Sequence, residues 1–370
     1  MQRIIAKRVS MLELFYDLIF VYAISKITAM IHHPVAGGIP LFNYIEFVFV
    51  VIMVMQIWLY QALYINRFGK SRIIDTIGLL ISMYAMTYLA NNINTEWSVT
   101  FRTFNSAVVL AVVLIVAGLI WQYLCGSGKH PMRDHDVRAF AVTLILELIA
   151  VLSGLLIGYH YGIFLCVLGG LIGFLMPLAV YQQFVPKNVN FPHLVERLGL
   201  IIIITFGESL VNITRYFNGS IIQLFPALIF VLLVTMFGAY IIQDELLINH
   251  HQRSRGFVLM YSHVFMVISL LSMTAGLDYL AESGVSRLNL WLLLSISILG
   301  YYLCLVANGV YNHRDVKLQL TDYCVMLLIF LISAGISFYG MQSNCGLMIG
   351  FALCGISEFL WLLKISRVRK

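Results

Sequence analysis

The sequence predicts an all-α protein that crosses a membrane about twelve times and consists of two six-helix parallel repeats. Hydrophobic residues make up 61% of the 370 positions and charged residues only 11%, whereas a soluble chain has roughly 25% charged residues. The mean hydropathy is +0.92. Long apolar runs recur along the chain, and a self-similarity at one fixed offset divides it into halves. These observations exclude a soluble globular domain.

The apolar runs are long enough to be membrane spans, since a helix needs about 20 apolar residues to cross the hydrocarbon core. Twelve segments meet this requirement, near 12–31, 43–65, 73–91, 104–124, 137–158, 161–183, 194–217, 221–243, 256–277, 288–309, 321–340 and 345–364. Because a lipid-exposed backbone must satisfy its own hydrogen bonds, we expect each segment to be an α-helix. The connections are short, so they predict no soluble catalytic domain.

The distribution of Lys and Arg predicts the orientation of the chain. Most of these residues fall in alternate connections and at the two termini, while Arg102, Arg215 and Arg287 lie on the other side and Lys26 lies within the first segment. Cytoplasmic loops carry an excess of Lys and Arg, so we expect both termini in the cytoplasm. The basic residues are spread over several short segments, which argues against nucleic-acid binding.

An internal repeat appears at an offset of 183 residues. At this offset INRFGKSR at 65–72 aligns with INHHQRSR at 248–255, and Glu13 aligns with Glu196. Such polar matches at one ungapped offset indicate a duplication. Each half, 1–183 and 184–370, then holds an even number of helices, so the halves share one orientation. This plan is typical of secondary transporters, whose substrates bind between the halves near the bilayer midplane.

Two acids interrupt the first apolar segment, MLELFYDLIFVYAISK. Glu13 and Asp17 are four residues apart, so they share one face of a helix. Acids at a helix start are often structural, since they complement the helix dipole, and repeat-related arginines on the same membrane side are their expected partners. We predict structural or gating charges at Glu13, Glu196, Arg197, Arg72 and Arg255.

Deeper polar residues predict a substrate or proton site. Glu208 lies twelve residues past Glu196, which places it near mid-membrane and at a depth similar to Lys26 in the other half. An unpaired charge at that depth is costly, so intramembrane ionisable residues indicate function. The structural alternatives are snorkelling of Lys26 and a neutral Glu208 bonded to a neighbouring helix. We predict a site formed by Glu208, Lys26, Asp17, Asn212, His263 and Glu147.

Metal, cofactor and disulfide chemistry are not expected. The six cysteines lie in or beside apolar runs without a CxxC pair, which indicates that they serve as small apolar residues. No nucleotide-binding or hydrolase motif occurs. Glu358 is well inside the last segment and, like Glu147, has an apolar partner in the other half; such an acid serves either packing or function.

Two long stretches resemble signatures of a known family. VSMLELFYDLIFVYAI at 9–24 and VERLGLIIIITFGESLVNI at 195–213 are similar to signatures of the bacterial low-temperature-requirement A (LtrA) family, and HHQRSRGFVLMYSH at 250–263 also fits. The resemblance implies a bacterial inner-membrane location and a role in growth in the cold. It also implies functional roles for Glu13, Asp17, Glu196, Arg197, Gly207, Glu208 and His263.

One departure from the family pattern follows NRF at 66–68. The family tends to continue with several acids, whereas this chain has Gly69, Lys70 and Ser71. Any function of that acidic run is therefore not expected here.

Two classes of function are consistent with these features. The first is a secondary transporter or permease of a small solute, proton-coupled through groups such as Glu208, with the lipid bilayer as its surroundings. The alternative is an intramembrane enzyme or lipid-handling factor that uses Glu147, Glu208 or Glu358 as acid or base. The duplicated halves and the missing catalytic motifs favour transport. The sequence does not indicate the substrate or the oligomeric state.

Overall fold

The computed structural model describes residues 7–35, 37–69, 73–125, 131–219 and 223–368, and this part of the chain is helical without β-sheet. Its long helices are α1 (Met11–Ala29), α2 (Leu41–Phe68), α3 (Ile73–Asn91), α4 (Trp97–Cys125), α5 (Pro131–Ile157), α6 (Tyr159–Ala179), α7 (Phe191–Ile213), α8 (Leu224–Ile241), α9 (Phe257–Asp278), α10 (Arg287–Ala307), α11 (Leu320–Gly340) and α12 (Asn344–Val368). Each predicted segment coincides with one of these helices, which confirms the all-α class. The starts of α4 and α5 lie several residues before the predicted ones, because hydropathy detects only the apolar part of a helix.

Nine of the described helices are long and apolar enough to cross a membrane. They are Leu41–Phe68, Trp97–Gln122, His135–Ile157, Tyr159–Ala179, Leu224–Leu247, Phe257–Ala281, Arg287–Tyr311, Leu320–Gly340 and Asn344–Val368. Of the remaining three, α1 and α7 each contain three charged residues, which lowers their apolar character. The nine candidate spans support a polytopic membrane protein. Twelve membrane crossings stay a prediction.

The start of α1 is fixed by a capping box. Ser10 Oγ accepts a hydrogen bond from the backbone N–H of Glu13, and Glu13 Oε1 accepts one from the backbone N–H of Ser10. Reciprocal bonds of this kind satisfy two of the N–H groups that the first turn leaves without helical partners. Glu13 is thus a helix-start acid, as predicted, and its second carboxylate oxygen remains available to other elements.

The first compact unit comprises the residues up to Met30, Ile45–Ile201 and His251–Phe257. Within it, α3 contacts α1 and α4, and α5 packs along α6. A side chain at Gly162 would overlap the backbone of α5 at Gly154, so these two helices approach as closely as glycine permits. Such small-residue contacts are typical of helices that pack in membranes.

The second compact unit comprises Ile31–Tyr44, Ile202–His250 and the chain from Val258 onward. Here α12 packs against α8 and α11, again through small residues. A side chain at Gly350 would overlap Ser337 of α11, and one at Gly355 would overlap Thr235 of α8. Because both units contain separate stretches of sequence, the predicted division into halves at residue 183 is not tested by them and stays a prediction.

Candidate functional site

A buried group of four charged or titratable side chains lies in the first unit, and we call it the α1–α7 charge cluster. It consists of Glu13 and Asp17 of α1 and His193 and Arg197 of α7. Arg197 Nη1 donates to Glu13 Oε2 over 2.8 Å, and Nη2 donates to Asp17 Oδ1 over 2.7 Å. His193 Nε2 lies 3.0 Å from the same Glu13 oxygen. One guanidinium therefore joins both acids of α1.

Helical spacing explains why these four side chains meet. Glu13 and Asp17 are four residues apart, and so are His193 and Arg197. Residues at this spacing lie on one face of a helix, about one turn apart. Two acids on α1 and two basic residues on α7 therefore form matching faces.

Helix α2 supplies the neutral partners of the cluster. Trp58 Nε1 donates to Asp17 Oδ1 over 2.8 Å, and the Arg197 guanidinium lies 5.4 Å from the centre of the Trp58 ring. This distance suits a cation–π interaction. Asn66 Nδ2 lies 3.0 Å from His193 Nδ1. The two α2 residues thus hold both ends of the charged group.

The cluster is almost entirely removed from solvent. The exposed fraction is 0% for the Arg197 side chain, 5% for Glu13 and 3% for Asp17. Burying an ion costs several kcal/mol, and only close opposite charges with additional hydrogen bonds offset that cost. The four side chains are therefore mutually dependent.

A second buried acid of the first unit, Glu147 of α5, is enclosed by α2 and α6. Gln56 Nε2 donates to Glu147 Oε1 over 2.7 Å. A side chain at Gly173 of α6 would overlap both the Gln56 amide and Glu147 Oε2. Tyr60 donates its hydroxyl to the Gly173 carbonyl over 2.7 Å. The backbone of α6 therefore lies directly against the acid, and glycine is required there.

The second unit contains a more open group, the His32 cluster, formed by His32, Arg215 and Asp278. His32 Nδ1 lies 2.9 Å from Asp278 Oδ2, and Arg215 Nη2 lies 3.2 Å from Asp278 Oδ1 and 3.0 Å from His32 Nε2. The hydrogen bond to Asp278 raises the pKa of the His32 imidazole, although partial burial acts in the opposite direction. Arg215 lowers this pKa, whereas the more distant Glu208 raises it.

Glu208 and Asn212 lie one helical turn apart on α7, as predicted. Asn212 Nδ2 donates to the Glu208 side chain over 3.0 Å and to the Glu208 backbone carbonyl over 3.1 Å. Both side chains are half-buried. Their contact confirms that they share a face, while a role in substrate or proton binding stays a prediction.

A comparison with protein families shows which family the chain belongs to. The model of the family described as bacterial low temperature requirement A protein (LtrA) matches residues 8–357, nearly the whole length. The chain belongs to the LtrA family. Searches among curated proteins and among solved structures found no match. The resemblance that the sequence signatures indicated is therefore confirmed, and it identifies a bacterial multi-pass membrane protein.

In this LtrA protein the predicted residue His263 is buried and bonded at both ring nitrogens. His263 Nδ1 lies 2.7 Å from the Leu259 carbonyl and Nε2 lies 3.0 Å from the Tyr240 hydroxyl. Since only an N–H can bond a carbonyl, Nδ1 carries a proton, while the Tyr240 hydroxyl can either donate to Nε2 or accept from it. Glu358 of α12 is also buried, and its Oε2 has no hydrogen-bond partner among the described residues.

The remaining predicted charges of the LtrA protein lie in different surroundings. Lys26 is half-buried with its ammonium 5.4 Å from the centre of the Tyr22 ring, and Glu196 is exposed. Arg255 donates to the Phe184 carbonyl, and the buried Arg197 binds Glu13; structural or gating roles for these charges stay a prediction. Arg72 lies outside the described residues. That Lys26 and Glu208 belong to one site stays a prediction.

Sequence reasoning missed His193, Trp58 and Asn66 in the charge cluster and Gln56 beside Glu147. A signal for His193 was present, because His193 and Arg197 are four residues apart, like Glu13 and Asp17, but are basic residue types where the other two are acids. No comparable signal marks Trp58, Asn66 or Gln56. Each is a single polar group in an apolar helix whose partner is distant in sequence.

Proposed function

We propose that this LtrA protein is a secondary transporter that moves a small solute across the bacterial cytoplasmic membrane with proton coupling. In this proposal both termini are cytoplasmic, and residues 1–183 and 184–370 form halves that alternate access to a polar site. Glu208, Lys26, Asp17, Asn212, His263 and Glu147 contribute substrate or proton binding. Growth in the cold, to which the family description refers, would then depend on movement of that solute.

The observation that carries the proposal is the α1–α7 charge cluster. Its four side chains lie in a chain with only 11% charged residues, and Arg197 is fully buried between two carboxylates. Buried ion pairs often contribute no more to stability than well-packed hydrophobic residues do. Apolar side chains would therefore suffice for a purely structural contact between apolar helices. Buried ionisable residues in membrane helices are typical of ion and substrate pathways.

The contacts of Glu147 argue against its use as a catalytic acid or base. The Gly173 backbone and the Gln56 amide lie directly against the carboxylate. A general acid or base must come within hydrogen-bond reach of its substrate, and a substrate atom would have to displace helix α6 to do so. This packing supports proton storage over chemistry on a substrate.

The lipid-handling alternative rests on a cavity in the first unit. Its volume is about 330 Å³, and its lining is mostly apolar side chains of α3 and α4, with Gln61, Tyr64 and Asp75 among its polar members. Tyr64 donates its hydroxyl to Asp75 over 3.3 Å. A mostly apolar pocket with a few polar groups suits an acyl chain with a polar head.

Purified protein in liposomes tests the transport proposal. Fractionated bacterial metabolites are supplied outside with a proton gradient, and solute inside is measured by mass spectrometry while a trapped dye reports internal pH. We expect one solute class to accumulate above its outside concentration and to move protons with it. Absence of any accumulation, together with chemical change or redistribution of added lipid, would support the alternative.

Two variants refine the same assay. Glu208→Gln keeps a hydrogen-bonding side chain but removes the titratable group, so we expect uptake to lose its dependence on pH. Glu96→Gln, at an exposed position, serves as the matched control and should behave as the unmodified protein. If uptake by Glu208→Gln depended on pH as in the unmodified protein, Glu208 would have only a packing role.

A further inference from the structure

The hydrogen bonds of Asn66 fix the protonation state of His193. Asn66 Oδ1 accepts from the Asn190 backbone N–H over 3.0 Å, and Asn66 Nδ2 donates to the Asn190 carbonyl over 2.8 Å. This pair of bonds sets the orientation of the amide, so the group facing His193 Nδ1 is an NH₂ group, which can only donate. His193 Nδ1 therefore carries no proton. The ring is neutral and donates from Nε2 to Glu13.

With His193 neutral, the cluster has one more acid than it has bases. Glu13 and Asp17 would carry two negative charges as carboxylates, while Arg197 supplies one positive charge. A further cation, Lys7, interacts electrostatically with Glu13, but its ammonium donates its hydrogen bonds to the Ile65 and Gly69 carbonyls over 2.6 and 3.1 Å. There it compensates the negative carboxyl end of α2.

In the part of the chain that the structure describes, no further base from the other helices forms an ion pair with the two acids of the cluster. Helix α3, which packs on α1, has Asp75 as its one charged residue. The α2 side chains that contact the cluster, Trp58 and Asn66, are neutral. Tyr16, beside Asp17 on α1, is fully buried and neutral at ordinary pH. Among the described residues, Arg197 is therefore the one cation that bonds directly to the two acids.

The hydrogen bonds show which acid lacks a donor. Glu13 Oε1 accepts from Ser10, and Oε2 accepts from Arg197 and His193. Asp17 Oδ1 accepts from Trp58 and Arg197, but the buried Oδ2 has no partner in the described part of the chain. A charged oxygen without a donor is far more costly to bury than a neutral hydroxyl.

We propose that the α1–α7 charge cluster binds one proton, which Asp17 carries on Oδ2. Glu13 then stays ionised as the counterion of Arg197, and the cluster is neutral. A metal cation fits poorly, because hard cations require several oxygen ligands and the groups around Asp17 are N–H donors. The proton comes from bulk water and returns to it.

Loss of this proton would weaken the contact between α1 and α7. Two carboxylates would then compete for one guanidinium in a site with little access to water. The use of this step to couple protons to solute movement rests on the proposed function. The presence of the proton does not, since it follows from the geometry of the cluster alone.

Infrared difference spectroscopy of the detergent-purified protein tests the proposal without a transport assay. Spectra at neutral and alkaline pH of protein with ¹³C-labelled aspartate should contain an isotope-sensitive C=O band of a protonated aspartic acid. We expect Asp17→Asn to remove the part of this band that belongs to Asp17, and Asp244→Asn identifies the part that belongs to the half-buried Asp244. Asp136→Asn is the buried control: Asp136 has its own base, with Arg67 Nη1 at 3.0 Å, so its replacement should leave the band intact. Asp315→Asn is the exposed control.

Stability supplies a second measurement. An asparagine closely resembles a protonated aspartic acid, so Asp17→Asn should keep the thermal midpoint of the protein. Glu13→Gln removes the counterion of Arg197 and should lower the midpoint strongly or prevent accumulation of the protein. Equal loss in both variants would overturn the proposal, and so would a protonated His193 in ¹⁵N spectra or a band that Asp17→Asn leaves unchanged. If the band behaves as expected but liposomes show no transport, only the proposed function fails.

Discussion

The α1–α7 charge cluster and the His32 cluster contain the same residue types around buried acids, but the basic side chains are buried in the first and partly exposed in the second. Each consists of one arginine, one histidine and aspartate, with a glutamate added in the first. The Arg197 side chain is 0% exposed, whereas Arg215 is 36% and His32 is 24% exposed. The first cluster has two carboxylates for one guanidinium, and the second has two basic groups for the single carboxylate of Asp278.

This difference shows that solvent exposure determines how the same types of side chain respond to gain or loss of a proton. A solvent-exposed imidazole can gain or lose a proton with little change in its neighbours, because water screens the added charge. In the buried cluster every charge must be matched within a few ångströms. We therefore expect the His32 cluster to respond gradually to pH and the α1–α7 charge cluster to behave as a single unit.

The largest expected difference between the clusters concerns their arginines. Arg197→Leu leaves buried acids without a counterion and should destabilise the protein by about 3–5 kcal/mol. Arg215→Leu removes a partly exposed partner and should cost no more than about 1 kcal/mol. Thermal unfolding of the purified variants in detergent measures both. Similar costs for the two variants would show that burial does not distinguish the clusters.

A smaller difference is expected for two asparagines. Asn66 bonds the backbone of Asn190 twice and also holds His193. Asn66→Ala should therefore cost about 1–3 kcal/mol, because buried polar groups lose their partners. The Asn212 amide bonds only to Glu208, one turn away on the same helix.

For that reason Asn212→Ala should change the free energy of unfolding by no more than about 0.5 kcal/mol. Chemical denaturation of both variants provides the comparison. An Asn212→Ala cost as large as that of Asn66→Ala would indicate a function for Asn212 in holding another element.

The pH dependence of the His32 cluster is also expected to be a weak effect. Because the pKa of His32 is raised in the folded protein, its protonated form stabilises the fold. That contribution is complete below the ordinary histidine pKa of about 6.5, and it disappears as pH rises through the raised value. We expect it to amount to less than about 1 kcal/mol.

Histidine-selective nuclear magnetic resonance titration measures this effect directly. His32→Gln should abolish the corresponding part of the stability profile, whereas His313→Gln, at an exposed position, should leave it unchanged. A His32 pKa below the ordinary value would show that Arg215 dominates over Asp278 in solution.

The helices could be predicted from the sequence because apolar segments are local signals. The capping box at Ser10 and Glu13 and the shared face of Glu208 and Asn212 follow from helical spacing alone. Family membership also followed from contiguous signatures. Each of these depends on residues close together in the chain.

The partners of the buried acids could not be predicted in the same way. Glu13 was expected to meet an arginine related by the repeat, but it meets His193 and Arg197. Glu196, which aligns with Glu13 at the offset of 183 residues, is exposed, so the two aligned acids lie in different surroundings. Asp278 lies at the end of α9, and its contact with His32 joins residues far apart in sequence.

The close glycine contact between α5 and α6 has a consequence for biosynthesis. A single residue, Gly158 with φ +93°, connects the two helices, and both are apolar enough to span a bilayer. A one-residue connection cannot cross a hydrocarbon layer about 30 Å thick, so two helices that both span the bilayer with this connection have their joined ends on the same side of it. Once both have been synthesised and inserted, the pair is a hairpin whose backbones can meet at their glycines while the rest of the chain is still being made.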